Sequence, residues 1–433
     1  MAVVRVSGDD VPAIGRTLLG DLPPPRHAHF TCWSDEHGNL IDAGLVIYFV
    51  APQSYTGEHT LEFHGHGGDY PVEMLIQRIV QLGARRARPG EFTERAFLND
   101  KIDLTQAEAI ADLIDAGSQR AAQAALRSMQ GEFSARVNAA RAALTGLRVY
   151  VEAAIDFPEE EIDFLGSQEI RERLEDVQQR LNAVLRAAEE GSVLARGLTV
   201  AIAGRPNAGK STLMNALAGR DVAIVADVAG TTRDLLRESV QIEGMAVELI
   251  DTAGLRESTE DPIEAEGMRR AREAISSADH LLFVIDAKTD SRARSYEEEK
   301  ATLPEGVPVT LVFNKVDLLR RSMTATPGTN GAPPMIPISA TTGAGLADLK
   351  RHIAAKAGVS EGTGGFSARA RHVDALQRAA KHLDAAADQL GGKQAELAAF
   401  ELREAQRELG EVVGDVTSDE LLGKIFSSFC IGK

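Results

Sequence analysis

The stretch from Leu198 to Thr212, LTVAIAGRPNAGKST, leaves this chain little choice of fold. An apolar run with the β-branched residues Thr199, Val200 and Ile202 stops at Gly204, and Gly204, Gly209, Lys210 and Ser211 then fit G-x-x-x-x-G-K-[ST] residue for residue. Leu213, Met214, Ala216 and Leu217 follow as an apolar helix, so the segment reads as strand, phosphate loop and helix. Each residue type has a task there. The glycines let successive backbone N–H groups turn inward around phosphate oxygens, the Lys210 ammonium reaches the terminal phosphates, and the Ser211 hydroxyl ligates Mg²⁺. A polar turn matching by chance would need neither the strand before it nor the helix after it.

Four further pieces follow in the order a GTPase requires. Thr231 and Thr232, in DVAGTTRD, supply a second Mg²⁺ ligand, expected at Thr232. Asp251, Thr252, Ala253 and Gly254 follow the strand-like VELI, placing Asp251 behind the metal water and the Gly254 N–H toward the γ-phosphate. Asn314, Lys315 and Asp317 (NKVD after VTLVF) select the base, because a carboxylate at Asp317 accepts both N–H groups of guanine and adenine offers no such pair. Ser339, Ala340 and Thr341 close the base pocket. The expected nucleotide contacts therefore also include Asn207, Ala208, Thr212 and the run Ala226, Asp227, Val228, Ala229, Gly230. This set resembles the Ras-like GTPases, with one departure. Leu255 stands where Ras has its water-positioning glutamine, and leucine cannot orient water, so another group must serve.

The 433 residues suggest two to four domains, and 44% apolar with 26% charged residues is ordinary for a folded chain. No run approaches the length of a membrane span, and MAVVRVSGDD lacks the pattern of a signal peptide, so a cytoplasmic protein is expected. Two cysteines, Cys32 and Cys430, exclude a disulfide scaffold. A net charge of −17 argues against a chain that coats nucleic acid non-specifically, leaving only local basic patches such as Arg85, Arg86 and Arg88.

Residues 1 to 99 read as mixed α/β, with strands at Val4 and Val6, Leu45 to Val50 and Thr60 to His64, and helical spacing at Val72, Leu75, Ile76, Ile79 and Val80. His64 and His66 alternate like metal ligands but lack a third partner, so hydrogen-bonded histidines in a glycine-rich turn are the better reading. Thr105 and Glu108 fit a capping box. Leu126, Met129, Phe133, Val137, Ala140, Leu144, Leu147 and Val151 predict one long amphipathic helix, ending at the carboxylate run in DFPEEEID. A further helix carries Ile170, Leu174, Val177, Leu181 and Val184 before Gly191 and Gly197 close it. Helical periodicity returns after the Gly/Ser-rich stretch 360–370, at Val373, Leu376, Ala380 and Leu383, and again at Ala398, Leu402, Ala405, Leu409 and Val412. Helices on both sides of the nucleotide domain predict an insertion: 1–99 N-terminal, 100–196 helical, 197–358 GTPase, 359–433 helical again.

LEFHGHGG, RPGEFTERAFLNDKIDLTQAEAIADLIDA, EAAIDFPEEEIDF, GRPNAGKSTLMNALAGR and the terminal FSSFCIGK together resemble, nearly end to end, the MnmE (TrmE) tRNA-modification GTPases. The resemblance implies an α/β Ras-like GTPase domain inserted into a discontinuous α-helical domain, preceded by an α+β tetrahydrofolate-binding domain that makes a homodimer. It implies a hetero-oligomer with an FAD enzyme of the MnmG (GidA) type, adding an aminomethyl or carboxymethylaminomethyl group to carbon five of the wobble uridine of certain tRNAs. The one-carbon unit would come from 5-formyl- or methylene-tetrahydrofolate. Potassium would take the place of an arginine finger, held by Asn207, Ala226, Val228 and Thr231, with Glu264 orienting the attacking water and Asn207 and Lys210 completing the catalytic set. Arg5, Glu62, Lys101 and Lys433 match the folate contacts, and Cys430 is a candidate for redox or covalent chemistry. Family members also carry a first strand and a Gly-rich loop ahead of the position of Met1, which would leave a strand edge unpaired here. A GTP-driven switch in ribosome assembly or stress regulation is the alternative reading.

Overall fold

The computed structural model describes residues 1–156, 168–219, 237–251, 273, 275–304, 306–328, 332–356, 365–392, 394–415, 419–427 and 429. The chain divides into two compact units, one of Met1–Ala111, Met129–Gln178 and Arg378–Lys433, the other of Asp112–Ser128 and Gln179–Gln377.

The N-terminal region runs β1 (Ala2–Ser7), α1 (Val11–Leu19), β2 (His29–Ser34), β3 (Leu40–Phe49), β4 (Thr60–Gly65), α2 (Asp69–Gln81), α3 (Glu91–Leu98) and α4 (Leu104–Ile114). Its four strands form an antiparallel sheet in the order β1-β4-β3-β2, with β1 at one edge. Period-two alternation sends Val6, Trp33, Val46, Tyr48, Leu61 and Phe63 into one core with Val11, Ile14 and Leu18 of α1 and Leu75 and Ile79 of α2. Each such side chain contributes about 1.5–3 kcal/mol by leaving water. The N-terminus of α4 corrects the capping expectation. Asp103, not Thr105, caps it: Asp103 Oδ1 accepts from the Gln106 amide at 2.9 Å while Gln106 Oε1 accepts from the Asp103 amide at 3.0 Å. D-x-x-Q is itself a reciprocal box two residues earlier, and Thr105 and Glu108 are buried inside the helix.

The long amphipathic helix is two. α5 (Gln119–Met129) and α6 (Glu132–Asp156) are separated at Gly131, whose φ of +86° is a left-handed conformation that ends a helix. The apolar spacing runs through the break because it counts residues and not turns: α5 buries the small residues Ala121, Ala124, Ala125 and Ser128 and leaves Leu126 exposed. Helix α7 (Gln168–Arg196) likewise passes through Gly191 and stops only at Gly197, where φ is +80°. A Cβ at Gly191 would lie 2.1 Å from the Phe366 carbonyl, so this glycine serves a close backbone approach and not a helix end.

The second unit holds a six-stranded sheet. Its elements are β5 (Leu198–Ala203), α8 (Lys210–Ala218), β6 (Arg237–Ile242), β7 (Met245–Asp251), β8 (His280–Asp286), α9 (Arg294–Glu299), β9 (Val309–Asn314), β10 (Met335–Pro337) and α10 (Leu346–Lys356). The order is β10-β9-β8-β5-β7-β6, parallel except for the β6–β7 hairpin. The central strands are buried on both faces and read as continuous apolar runs, as HLLFVID does in β8. After this sheet come α11 (Ala370–Gly391), α12 (Ala395–Val413) and α13 (Asp419–Ser427). Within the first unit α12 packs along α6, and Leu144, Leu147, Val151, Leu402, Leu409 and Val412 are all fully buried. The architecture is an α/β Ras-like P-loop domain inserted in a discontinuous helical domain and preceded by an α+β domain.

Candidate nucleotide-binding site

Parallel strands aim their carboxyl ends at one edge of the sheet, and the motifs lie there. The phosphate loop leaves β5, Asp251 ends β7, Asn314 ends β9, and Ser339 follows β10. Ligands of open α/β sheets bind at this edge. The loop's glycines are geometrically required. Gly204 has φ +136° and a Cβ there would sit 2.2 Å from the Val284 carbonyl oxygen, while at Gly209, φ +95°, a Cβ would meet Asn314 Nδ2 at 2.3 Å. Between them Asn207 takes φ +63°, which asparagine tolerates better than most residues.

Lys210 Nζ donates to the carbonyls of Gly204 at 2.7 Å and Arg205 at 3.3 Å, so the ammonium lies over the loop that phosphates would fill. Burial lowers its pKa, against the opposing charges of Asp251 and Glu299. Asp251 shows the mirror image: burial raises its pKa and Lys210 pulls it back. Asp251 Oδ1 is buried without a hydrogen-bond partner. An orphaned carboxylate oxygen at the sheet edge from which the phosphate loop also leaves is the hard-oxygen chemistry that fits Mg²⁺ and its water shell. The Asn207 side chain is exposed, so an amide oxygen is available for a cation.

The guanine elements are tied to the phosphate loop by one buried side chain. Asn314 Nδ2 donates to the Ala208 carbonyl at 3.0 Å, and its Oδ1 accepts from the amides of Lys315 at 2.8 Å and Ala340 at 3.0 Å. Three motifs thus meet on one amide, the phosphate loop 106 residues before Asn314 and Ala340 26 residues after it. Lys315, at φ +65°, directs Nζ to the Asn207 carbonyl at 2.6 Å and to Asp286 Oδ2 at 2.7 Å. Asp317 lies in the short turn Val316–Leu318 with its carboxylate exposed. Ser339 is buried, and its Oγ accepts from the Thr342 amide at 3.2 Å. Thr341 is exposed beside it, and Thr212 is exposed in the first turn of α8.

Sequence reasoning missed Asp286. Burial alone would raise its pKa, but Lys315 and the amides of Lys288 and Thr289 hold it below the usual range. The available signal was an acid ending the apolar run of β8, in register with Asn314 on β9. Arg205 was also missed; it pairs with Glu298 and Glu299 of α9 and fastens the loop's first turn. Ala226, Asp227, Val228, Ala229, Gly230, Thr231, Thr232, Thr252, Ala253, Gly254, Glu264, Cys430 and Lys433 lie outside the described residues.

In the first unit Arg5 and Glu62 come together, Arg5 Nε donating to Glu62 Oε1 at 2.8 Å. The guanidinium stands 5.3 Å from the ring of Tyr55 and 5.5 Å from that of Phe92. Lys101 donates to the Pro52 carbonyl at 3.0 Å. The donor set suits the amide edge and carboxylates of a folate. His64 pairs with Glu62 at 3.3 Å and His66 with Asp42 at 2.8 Å, and no group of three metal-binding side chains exists among the described residues. The arginines of the expected basic patch are each matched, Arg85 to Glu91, Arg86 to Glu73 and Arg88 to Glu94. Cys32 is a free, exposed thiol. No described helix is long and apolar enough to cross a membrane.

Comparison with known proteins supplies the family. Residues 1–101 match the model described as GTP-binding protein TrmE N-terminus, and residues 104–430 that of the MnmE helical domain. Among solved structures, Era from Aquifex aeolicus bound to GDP·AlF4⁻ is 29% identical over 42% of this chain and 66% of that one, with a TM-score of 0.30. The G domain of the T. maritima FeoB iron transporter is 26% identical over 37% of this chain and 98% of that one, with a TM-score of 0.28.

Proposed function

The chain belongs to the MnmE (TrmE) family of tRNA-modification GTPases, and from that premise we propose that it is a potassium-stimulated GTP hydrolase working as a homodimer with an FAD enzyme of the MnmG type. Together they add an aminomethyl or carboxymethylaminomethyl group to carbon five of the wobble uridine of certain tRNAs. The observation that carries the nucleotide half is the convergence of Asn314 on both the phosphate loop and the Ala340 amide, which joins phosphate and base recognition in one pocket.

In this reading Lys210 leaves the Gly204 carbonyl for the β- and γ-phosphates, and Asp317 accepts the two guanine N–H groups. Ser211 and Thr232 would hold Mg²⁺, with the orphaned Asp251 carboxylate as its outer partner, and the ion would neutralise phosphate charge. Potassium, where bound, would supply positive charge to offset the charge developing on the phosphates. Asn207, with the carbonyls of Ala226 and Val228 and with Thr231, holds it, and the Lys315 contact keeps Asn207 in its left-handed conformation. Glu264 orients the attacking water in place of the glutamine absent at Leu255. Arg5, Glu62, Lys101 and Lys433 bind the folate that donates the one-carbon unit, and partner-bound FAD carries the redox step. The domain limits 1–99, 100–196, 197–358 and 359–433 belong to the same proposal.

Mass spectrometry of wobble nucleosides from a strain lacking the protein tests the reading: unmodified uridine is expected, and unchanged tRNA overturns it. Hydrolysis is expected to be faster in potassium than in sodium, and Glu264→Ala to keep nucleotide binding while losing turnover. Equal rates in the two salts would remove potassium from the mechanism.

A further inference from the structure

The hairpin β6–β7, which itself ends on Asp251, is the one described piece of chain lying in sequence between the segment that carries Thr231 and Thr232 and the segment that carries Thr252 to Gly254. In GTPases the two motifs that sense the γ-phosphate and its metal are the ones that answer nucleotide exchange, and here both are joined covalently to this hairpin. Its turn, Glu243 and Gly244, is not a free loop end. The Arg120 amide donates to the Gly244 carbonyl at 3.3 Å, and Gln241 Nε2 donates to the Gly117 carbonyl at 3.1 Å. The aliphatic stem of Arg120 covers Gly244, its Cγ 3.5 Å from where a Cβ would stand, and Gly117 faces Ala246. Ile242 and Met245, on either side of the turn, are fully buried in one apolar cluster with Ala124 of α5, Leu194 of α7 and Leu213 and Leu217 of α8.

Helix α5 is gripped a second time within the same unit. Ser367, on the stretch returning from the GTPase sheet, donates its amide to the Ala124 carbonyl at 3.1 Å, and Ser128 Oγ donates to the Ser367 carbonyl at 2.9 Å. Arg369 of that stretch pairs with Asp112 at 2.8 Å. Residues Asp112 to Ser128 thus belong to the compact unit of the GTPase sheet, although the chain before and after them belongs to the other unit.

We infer that α5 is the receiver of the nucleotide state: the β6–β7 hairpin holds its amino end, at Gly117 just before the helix and Arg120 in its first turn, and α5 passes the movement into the helical domain through its covalent continuation into α6. Hairpin and helix form two hydrogen bonds and one apolar cluster, a stiff connection of the kind that transmits a discrete shift. The inference deepens the proposed function, since it names how hydrolysis reaches the rest of the protein.

The test compares backbone amide exchange in residues 119–128 of the full chain with GDP and with a non-hydrolysable GTP analogue. In the unaltered protein exchange is expected to differ at least threefold between the two nucleotides. In the Arg120→Ala/Gln241→Ala double variant, which removes the Gln241 hydrogen bond and the Arg120 stem over Gly244 and keeps the Arg120 amide bond, the difference should fall by half or more, while GTP hydrolysis stays within twofold. Gln241→Ala alone, at an exposed side chain, should lose part of the difference with an unchanged melting temperature. No nucleotide-dependent difference in the unaltered protein, or one that survives in the double variant, overturns the inference. The exchange readout needs nucleotide only, so it stands apart from any result on tRNA; a fall of at least fivefold in wobble modification with hydrolysis retained is the expected companion result.

Discussion

Replacing Asn314 by alanine should separate this site into its parts. The side chain is buried and makes three hydrogen bonds, to the Ala208 carbonyl and from the amides of Lys315 and Ala340. Truncation leaves one acceptor and two donors without partners, each costing about 1–3 kcal/mol when buried. The low end of the sum, about 3 kcal/mol, is the working value. That energy is needed to hold phosphate loop and base loop in register, and it should appear as a loss of about 150-fold in GDP affinity, 1.4 kcal/mol being tenfold. Asn314→Asp keeps the acceptor but sets oxygen against the Ala208 oxygen, and should lose as much. Titration with a fluorescent GDP analogue measures both. A loss under threefold for Asn314→Ala, with the unfolding midpoint in urea unmoved, would refute the view that this amide joins the motifs.

Other outcomes follow from the same geometry. Gly204→Ala places a methyl 2.2 Å from the Val284 carbonyl at φ +136°, and should destabilise the GTPase unit by about 3 kcal/mol or more in urea unfolding followed by circular dichroism. Glu91 is buried among Arg85, the Arg88 amide and Arg95, and the Arg85 hydrogen bonds lead in lowering its pKa to about 2. Its folded pKa lies below its unfolded one, so its contribution is complete above pH ~4.5 and is lost as pH falls toward ~2; the unfolding midpoint reported by Trp33, the chain's only tryptophan, should drop over that window and flatten in Glu91→Gln. His280 is buried against Thr310, which also meets His352, and burial pushes its pKa down to about 4. The unfolded chain takes up the proton first, so stability is whole above pH ~6.5 and falls toward pH ~4 by at most about 1.4 kcal/mol per pH unit. Circular dichroism melts of His280→Gln should lose this slope.

Composition and motif order were enough to establish a guanine-nucleotide fold, because the tasks of Gly204, Lys210, Asn314 and Asp317 depend on residue type and on following a strand, both of which are local. The same holds for the apolar faces of α6, α7, α11 and α12, where burial follows a helical period. Local information failed where two periods run together: nothing in the spacing from Leu126 to Val151 reveals that Gly131 turns left-handed and splits the helix, while at α4 the sequence offers two local boxes, Asp103 with Gln106 and Thr105 with Glu108, and does not choose between them. Only the tertiary structure decided that Asn314 reaches Ala208 and that Asp286 steadies Lys315. It likewise decided that the β6–β7 turn closes on Gly117 and Arg120. Those are contacts between segments about a hundred residues apart, or about thirty for Asp286 and Lys315; the Asn314 and Asp286 contacts exist because parallel strands bring their carboxyl ends to a common edge, and the β6–β7 turn makes its contacts at the opposite edge, where β7 begins. A linear pattern records which residues can bind; which of them share a pocket depends on how the sheet is ordered.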